Sequence, residues 1–418
     1  MRSVEILQAA FGKNLSGMHP RREAAMWRAV IGLIIGGKAC LTALGRSLPG
    51  ATSDKHRIKA VDRLLGNAAL HREIDVVYRA VAHWLLKHVR TPVIAVDWTG
   101  AGAHHYELSA KLCSDGRALP LYSMVFAKHE YNYRGANRQF LRGLASILPF
   151  GCVPIVVTDA GFGHAWFRDV RRLNWHYIGR IRGGSHAKLG GRWYTLQQLH
   201  RRAGSFSQDL GVAIMTRNAP QAHRLVLAPR PTYQGRKRMT RRGTPGRSTT
   251  DRSASKGARE PWVLATSLQS DAAAIVRAYR LRMQIEESFR DRKSARHGWS
   301  MHLTVTRNRN RMAVLLMLAS LAELAVQLVG RSVATTRASF GFQANTTRNH
   351  RVLSFFFMGC RACRIGLEHT ARQLHIALLA LLATLERNAR PFAPLLQGAL
   401  SARQRPRASA RRSPSPTP

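Results

Sequence analysis

The sequence predicts an α/β fold in which helices cover a mixed sheet, with further helical regions on either side along the chain. Between residues 91 and 300, short apolar runs bounded by turn residues alternate with helical stretches. Outside that span, apolar residues recur at the three- and four-residue spacing of helices. A β-rich insertion is expected to interrupt the sheet region at about 183–261.

Residues 1–90 are predicted to be helical and basic. Apolar residues recur at helical spacing from Met26 to Leu44 and again from Ile74 to Val89. Between these runs, Ser53 or Asp54 is expected to cap a helix that carries four Lys and Arg side chains. Two interpretations of that helix stay open. It contacts DNA phosphates and bases, or it presents a solvated basic face above a helical core.

The sheet region begins at residue 91, where the pattern changes abruptly. PVIAVDWTG, HYELSAKL and ALPLYSMVFAK are predicted strands, with a turn from Ser114 to Arg117 before the third. A helix over residues 137–148, a strand in VPIVVTDAGFG, a helix over residues 164–173 and the strand WHYIGRIR follow. This order predicts a mixed sheet with helices on its faces.

Two of the predicted strands end in an acid, Asp97 in VIAVDWTG and Asp159 in VVTDAGFG. Burying an unpaired carboxylate is costly, so each acid needs an explanation. One explanation is that each Asp caps the adjacent turn. The other is a carboxylate cluster with Glu286 that binds hard divalent cations. Mg²⁺ would suit it best, because Mg²⁺ takes oxygen ligands from few carboxylates and leaves positions for phosphate and water.

The predicted insertion has two strand-forming segments, GRWYTLQQL and VAIMTRNAPQAHRLVLAPR. A run rich in Gly, Ser, Thr and Arg follows from Gln234 to Glu260 and predicts a flexible basic loop. The segment PWVLATS is then expected to return the chain to the main sheet.

The stretch YRLRMQIEESFRDRK, from Tyr279 to Lys293, is predicted to be one long polar helix because it lacks Gly and Pro. At about 100° per residue, four of its side chains fall within an arc of roughly 60°: Tyr279, Arg282, Glu286 and Lys293. A carboxylate flanked by Arg, Lys and Tyr suits a place where a metal ion meets a phosphodiester. The alternative is a solvated helix with ordinary Glu and Arg pairs.

Residues 301–400 are predicted to be helical again, and residues 401–418 to form a disordered basic tail. The apolar run from Met312 to Gly330 contains Glu323 and Gln327. Since it also follows a charged helix, it is interpreted as a buried helix of a soluble protein rather than a membrane span.

The chain is strongly basic, with 66 Lys and Arg against 22 Asp and Glu and a formal net charge of +44. This excess favours a polyanionic partner, above all nucleic acid, although a compositional bias toward Arg contributes. Apart from Cys360 and Cys363 the five Cys residues are scattered, which predicts free thiols in a reducing cytosol rather than a zinc site. The N-terminus lacks a signal-peptide pattern, so a cytoplasmic, nucleoid-associated protein is expected.

Taken together, these motifs resemble the insertion-sequence-four family of bacterial DDE transposases. The family signature is Tyr, two residues, Arg, three residues, Glu, six residues and Lys, and the chain matches it at Tyr279, Arg282, Glu286 and Lys293. Asp97 and Asp159 match the two Asp-bearing blocks of the family, and RIKAVDRLLGN resembles its N-terminal region. The resemblance covers about residues 50 to 300.

The resemblance implies a ribonuclease-H-like catalytic domain over residues 91–300, in which Asp97, Asp159 and Glu286 bind two Mg²⁺ ions, or Mn²⁺ in their place. It also implies five DNA-contacting residues: Tyr279, Arg282, Lys293, Arg180 and Trp262. Trp262 matches the family's base-stacking Trp, and an ordinary core Trp is the alternative. Met283 stands where some relatives place a second Trp.

By the same resemblance, the chain is expected to act as a cut-and-paste transposase. It would bind the terminal inverted repeats of its own element, cut the DNA as an endonuclease and join the 3′ ends to target DNA. Synapsis of two ends implies a homodimer, with residues 301–400 as the expected interface. The alternatives are a metal-dependent nuclease of the same fold without strand transfer, and an inactive DNA-binding derivative.

Overall fold

The computed structural model describes residues 1–216, 220–232, 260–336, 338–344, 346–347 and 350–394. The predicted basic loop, except for Glu260, and the predicted tail over residues 401–418 lie outside the described residues.

The chain begins with helices, as predicted. They are α1 (Arg2–Leu15), α2 (Pro20–Gly36), α3 (Leu41–Arg46), α4 (Asp54–Leu65) and α5 (Ala68–Leu85). Ser53 is the N-cap residue of α4, although its hydroxyl pairs with His56 Nδ1 at 2.8 Å rather than with the helix backbone. The apolar run from Met26 to Leu44 is split between α2 and α3. Gly37 ends α2 because it adopts a left-handed conformation with φ of +62°.

The predicted mixed sheet with flanking helices is confirmed. Its first half consists of β1 (Val93–Ala101), β2 (His105–Leu112), β3 (Leu119–Ala127), α6 (Arg134–Ile147), β4 (Ile155–Thr158), α7 (His164–Arg172) and β5 (His176–Ile181). Strand β1 pairs antiparallel with β2 and parallel with β4, and β4 pairs parallel with β5. This arrangement is that of a ribonuclease-H-like fold.

The insertion extends the same sheet. It contains β6 (His186–Leu189), β7 (Arg192–Thr195), α8 (Leu196–Arg201), β8 (Gln208–Met215) and β9 (Gln221–Leu227), and β10 (Val263–Thr266) follows it. The strand order is β3-β2-β1-β4-β5-β10-β9-β8-β6-β7. The prediction of strand over all of GRWYTLQQL is wrong for its second half. Thr195 and Gln198 form a capping box there, which starts helix α8.

The prediction of one continuous helix from Tyr279 to Lys293 is also wrong. Helix α9 (Ala272–Arg280) ends before Leu281, and α10 (Met283–Lys293) begins after Arg282. Leu281 and Arg282 keep right-handed helical dihedral angles, but their amides bond three residues back, to Ala278 and Tyr279. The tighter turn therefore shifts α10 relative to α9 without reversing the chain.

After α10 the chain is helical, with α11 (Arg309–Thr335), α12 (Phe355–Arg364) and α13 (Ala371–Ala389). Helix α11 is long and apolar enough to cross a membrane, but 94% of its most apolar window is buried inside the structure. It packs on α1, α2, α4, α5 and β3. The interpretation of this run as a buried core helix is therefore confirmed.

Two apolar cores lie on opposite faces of the sheet. One joins the N-terminal helices, one face of the sheet and α11. The other packs α9 and α10 against the opposite face, with Ala95 of β1 and Val157 of β4 among its members. Because side chains alternate along a strand, the residues two positions after Ala95 and Val157 point toward α9 and α10.

Candidate active site

Asp97 and Asp159 lie side by side on neighbouring parallel strands of the sheet. The register pairs Val96 of β1 with Thr158 of β4, and the next residue along the chain is an Asp in both cases. Asp159 directly follows the end of β4, as predicted, whereas Asp97 lies in the middle of β1, which continues to Ala101 because it keeps pairing with β2. Asp97 Oδ1 accepts a hydrogen bond from the Trp98 amide, and Asp159 Oδ1 accepts one from the Gly161 amide, each at 2.8 Å. The fold thus brings together two acids that are 62 positions apart in the sequence.

The Asp pair lacks a full compensating charge. Burial, followed by the neighbouring charge of Asp159, raises the pKa of Asp97 to about 7, although Arg282 acts in the opposite direction. Only 17% of the Asp97 side chain is exposed. Two neighbouring carboxylates repel each other when both are ionised, so a nearby cation would stabilise the pair.

Arg282 lies between Glu286 and Asp97. Its Nη2 donates to Glu286 Oε1 at 2.7 Å, and its Nη1 is 3.7 Å from Asp97 Oδ2. Burial lowers the pKa of Arg282, but interactions with Tyr279, Glu286 and Asp97 outweigh it and raise that pKa above the usual value. Glu286, in the first turn of α10, is therefore held at the site by a guanidinium.

The donor set fits a divalent cation at the Asp pair. Within the part of the chain that the structure describes, no three His, Cys, Asp or Glu side chains are grouped closely enough to hold one metal ion. Asp97 and Asp159 nevertheless supply the oxygen donors that Mg²⁺ and Mn²⁺ prefer, and burial together with the charge of Asp159 raises the pKa of Asp97, which a bound cation would counteract. Glu286 would complete the set of ligands if its carboxylate released the Arg282 guanidinium and bound the cation instead.

Tyr279, Trp262 and Arg180 lie on the same side as Arg282. The Tyr279 ring is buried, and it meets the partly buried Trp262 ring edge-on, with 5.0 Å between centroids. The Arg282 guanidinium carbon is 5.8 Å from the Tyr279 ring centroid. Burial lowers the pKa of Arg180. The charge of Tyr279 opposes this shift, and the charge of Arg282 adds to it. Arg180 Nη2 also lies 3.7 Å from Glu260 Oε2.

Lys293, the last residue of α10, reaches across to β1. Its Nζ donates to Thr99 Oγ1 at 2.5 Å, and burial lowers its pKa. Thr99 is two residues beyond Asp97 and therefore lies on the same face of the strand. The predicted site residues thus lie on or directly after β1, β4 and β5, directly before β10, or on α9, α10 and the turn between them. Met283, the first residue of α10, is 42% exposed.

Sequence analysis missed a buried ionic network behind this site. Arg292 donates to Glu107 Oε1 at 2.7 Å and to Glu323 Oε2 at 3.0 Å, and Lys111 donates to Glu323 Oε1 at 2.9 Å. At most 2% of any of these four side chains is exposed. The network fastens α10 to β2 and α11. The available clue was Glu323, an acid inside an apolar run that needed a buried partner.

A model of the transposase DDE domain family matches residues 89–322, which is more than half of the chain. A comparison with curated proteins found no match. The matched span contains the sheet, the insertion, α9, α10 and about half of α11.

Proposed function

Because the chain belongs to the transposase DDE domain family and is therefore a DNA transposase, we propose that it is of the insertion-sequence-four type and moves its own element by cut-and-paste transposition. The observation that carries this proposal is the Asp97 and Asp159 pair on two neighbouring parallel strands, connected to Glu286 of α10 through Arg282. The spacing of Tyr279, Arg282, Glu286 and Lys293 supports the same assignment.

Asp97 and Asp159, joined by Glu286, would hold two Mg²⁺ ions, or Mn²⁺ in their place. Such ions supply an activated water or DNA 3′-hydroxyl and stabilise the leaving oxygen during in-line attack on phosphorus. The buried position of Asp97 keeps its carboxylate oriented by the Trp98 amide. Parallel pairing of β1 and β4 fixes the distance between the two Asp backbones.

The cationic side chains around the acids would hold the DNA end. Arg282 is in position to exchange its carboxylate partners for a phosphate, which a guanidinium binds through two parallel hydrogen bonds. Lys293, oriented by Thr99, and Arg180 would hold further phosphates. Tyr279 supports Arg282 with its ring, and the partly exposed Trp262 beside it would stack on an unpaired base.

Residues 1–90 would bind the terminal inverted repeats. Three cations of α4 are exposed and spaced four residues apart, so they lie along one face: Lys55, Lys59 and Arg63. Residues 91–300 would form the catalytic domain and residues 301–400 the dimer interface of a synaptic complex of two chains and two DNA ends. The net charge of +44 suits a nucleoid-associated protein of the cytoplasm.

The test mixes purified protein, Mg²⁺, a plasmid carrying the element's ends and a target plasmid. Wild type is expected to cut at the ends and join the 3′ ends to the target, whereas Asp97→Asn, Asp159→Asn and Glu286→Gln are expected to bind the ends without cutting them. Glu287→Gln is the matched control, since Glu287 pairs with Arg290 and Arg117 instead. Cutting without joining would favour a nuclease, and binding without cutting would favour an inactive derivative.

A further inference from the structure

An exposed aromatic and basic segment, residues 128–134 with the sequence KHEYNYR, connects β3 to α6. Tyr131 is 51% exposed and Tyr133 is 64% exposed, which is unusual for such large rings. The segment also carries three exposed basic side chains: Lys128, His129 and Arg134. Its acid, Glu130, accepts a hydrogen bond from the Ala127 amide at 2.7 Å and lies 3.4 Å from Arg309. The segment is therefore basic overall.

This segment is anchored beside the Asp pair. Asn132 donates from Nδ2 to the Gly161 carbonyl at 3.1 Å, and the Gly161 amide in turn donates to Asp159 Oδ1 at 2.8 Å. Asn132 adopts a left-handed conformation with φ of +54°, which turns the chain back toward α6. Tyr131 is thereby presented close to Asp159, just beyond the end of β4.

The Tyr131 ring packs against two other aromatic rings. Its centroid is 5.5 Å from that of Trp98, whose side chain lies on the face of β1 opposite to Asp97, and 4.5 Å from that of Tyr106. Trp98 in turn contacts Phe126, with 5.2 Å between centroids. Burial raises the pKa of Tyr131, and the charges of Asp159 and Asp97 raise it further, so the phenol stays neutral at neutral pH. Tyr131 is thus a supported, neutral ring with half of its surface exposed.

From this arrangement we propose that Tyr131 is a stacking platform for an unpaired nucleobase adjacent to the phosphodiester held at Asp97 and Asp159. The inference rests on the proposed function, since it places the base by reference to those acids. Exposed aromatic rings interleaved with basic side chains suit single-stranded nucleic acid, because every base has a stacking face and every nucleotide has a phosphate. The basic side chains of the segment favour DNA over an apolar protein surface.

The test uses the full chain without divalent metal and a DNA duplex with a single-stranded 3′ overhang that contains 2-aminopurine. Stacking on an aromatic ring quenches the fluorescence of this base. We expect quenching with wild type, its loss with Tyr131→Leu together with about tenfold weaker binding, and its retention with Tyr131→Phe, which keeps the ring. Phe150→Ala is the matched control, since Phe150 is 90% exposed but precedes the opposite end of β4.

Unchanged quenching and affinity with Tyr131→Leu would overturn the inference. So would a Tyr131→Leu variant that loses self-association but keeps quenching, because the ring would then meet a second copy of the chain. Asp97→Asn separates this inference from the proposed function. That variant should quench like wild type but leave the element's ends uncut. A wild type that quenches through Tyr131 but never cuts would refute the proposed function alone.

Discussion

The guanidinium of Arg282 joins two carboxylates that come from different elements of the fold. Its Nη2 is 2.7 Å from Glu286 Oε1 on α10, and its Nη1 is 3.7 Å from Asp97 Oδ2 on β1. A divalent cation at the Asp pair would meet this positive charge at close range. Cation binding and movement of Arg282 are therefore expected to be coupled, with DNA phosphate as the partner that accepts the guanidinium.

The first prediction concerns metal affinity without DNA. Arg282→Gln removes the competing charge, so Mn²⁺ is expected to bind roughly tenfold more tightly, as an effective interaction of about 1.4 kcal/mol would give. Calorimetric titration of the DNA-free protein measures this. Arg290→Gln is the control, because Arg290 is exposed on the same helix and pairs with Glu287. Equal or weaker Mn²⁺ binding by Arg282→Gln would show that Arg282 does not compete with the cation.

The second prediction concerns the phosphate contact of Lys293. Lys293→Gln should weaken binding to the DNA end and lower the slope of log affinity against log salt by about one, because one fewer phosphate is neutralised. Thr99→Val keeps the charge but removes the hydroxyl that Lys293 contacts. It should leave the slope close to wild type. An unchanged slope in Lys293→Gln, measured by salt titration, would exclude this phosphate contact.

The third prediction concerns the buried ionic network. Arg292→Met leaves Glu107 and Glu323 without their shared partner, so the free energy of unfolding should fall by about 3–5 kcal/mol. Urea denaturation followed by circular dichroism measures the change. Arg290→Met, two positions earlier and exposed, should change it by less than about 0.5 kcal/mol. Similar losses in both variants would mean that the network does not stabilise the fold.

The fourth prediction concerns pH and His223. His223 is buried between His164, whose Nδ1 is 3.0 Å from its Nε2, and Tyr177, whose hydroxyl is 2.6 Å from its Nδ1. Burial, together with the charges of His164 and Arg171, lowers the pKa of His223 from an ordinary 6.5 to about 4.

Between about pH 4 and pH 6.5, the unfolded chain binds a proton at His223 that the folded chain does not bind. The contribution of His223 to stability is therefore present above about pH 6.5 and is lost as the pH falls through about 4. The loss is on the order of 3 kcal/mol. His223→Gln should show a shallower fall in the free energy of unfolding over this range. Parallel pH profiles for the two proteins would contradict the lowered pKa.

Local patterns predicted much of the fold. The strand HYELSAKL matches β2 residue for residue, and the acids after two apolar runs are the pair that the sheet brings together. The failures had two causes. The capping pair Thr195 and Gln198 marks the start of α8, but the strand-forming residues directly before it hide this local signal. The break at Leu281 and Arg282 has no Gly or Pro to mark it, since it is only a tightening of the helical turn.

Sequence periodicity does not predict contacts between residues that are far apart in the chain. Spacing placed Glu286 and Arg282 near each other, but the position of Arg282 against Asp97 depends on how α10 packs across the sheet. The pairing of Arg292 with Glu107 likewise joins residues 185 positions apart. Such pairs leave no local pattern, because each partner taken alone resembles an ordinary surface charge.

The burial of α11 against the N-terminal helices has a consequence for biosynthesis. Helices α1, α2, α4 and α5 pack on a segment that begins at Arg309, so they leave the ribosome long before their partner has been translated. Until then their apolar faces are open to water and to other nascent chains. These helices are thus translated well before the core that they share with α11 can form, and premature termination before α11 would leave an aggregation-prone fragment rather than a shorter folded protein.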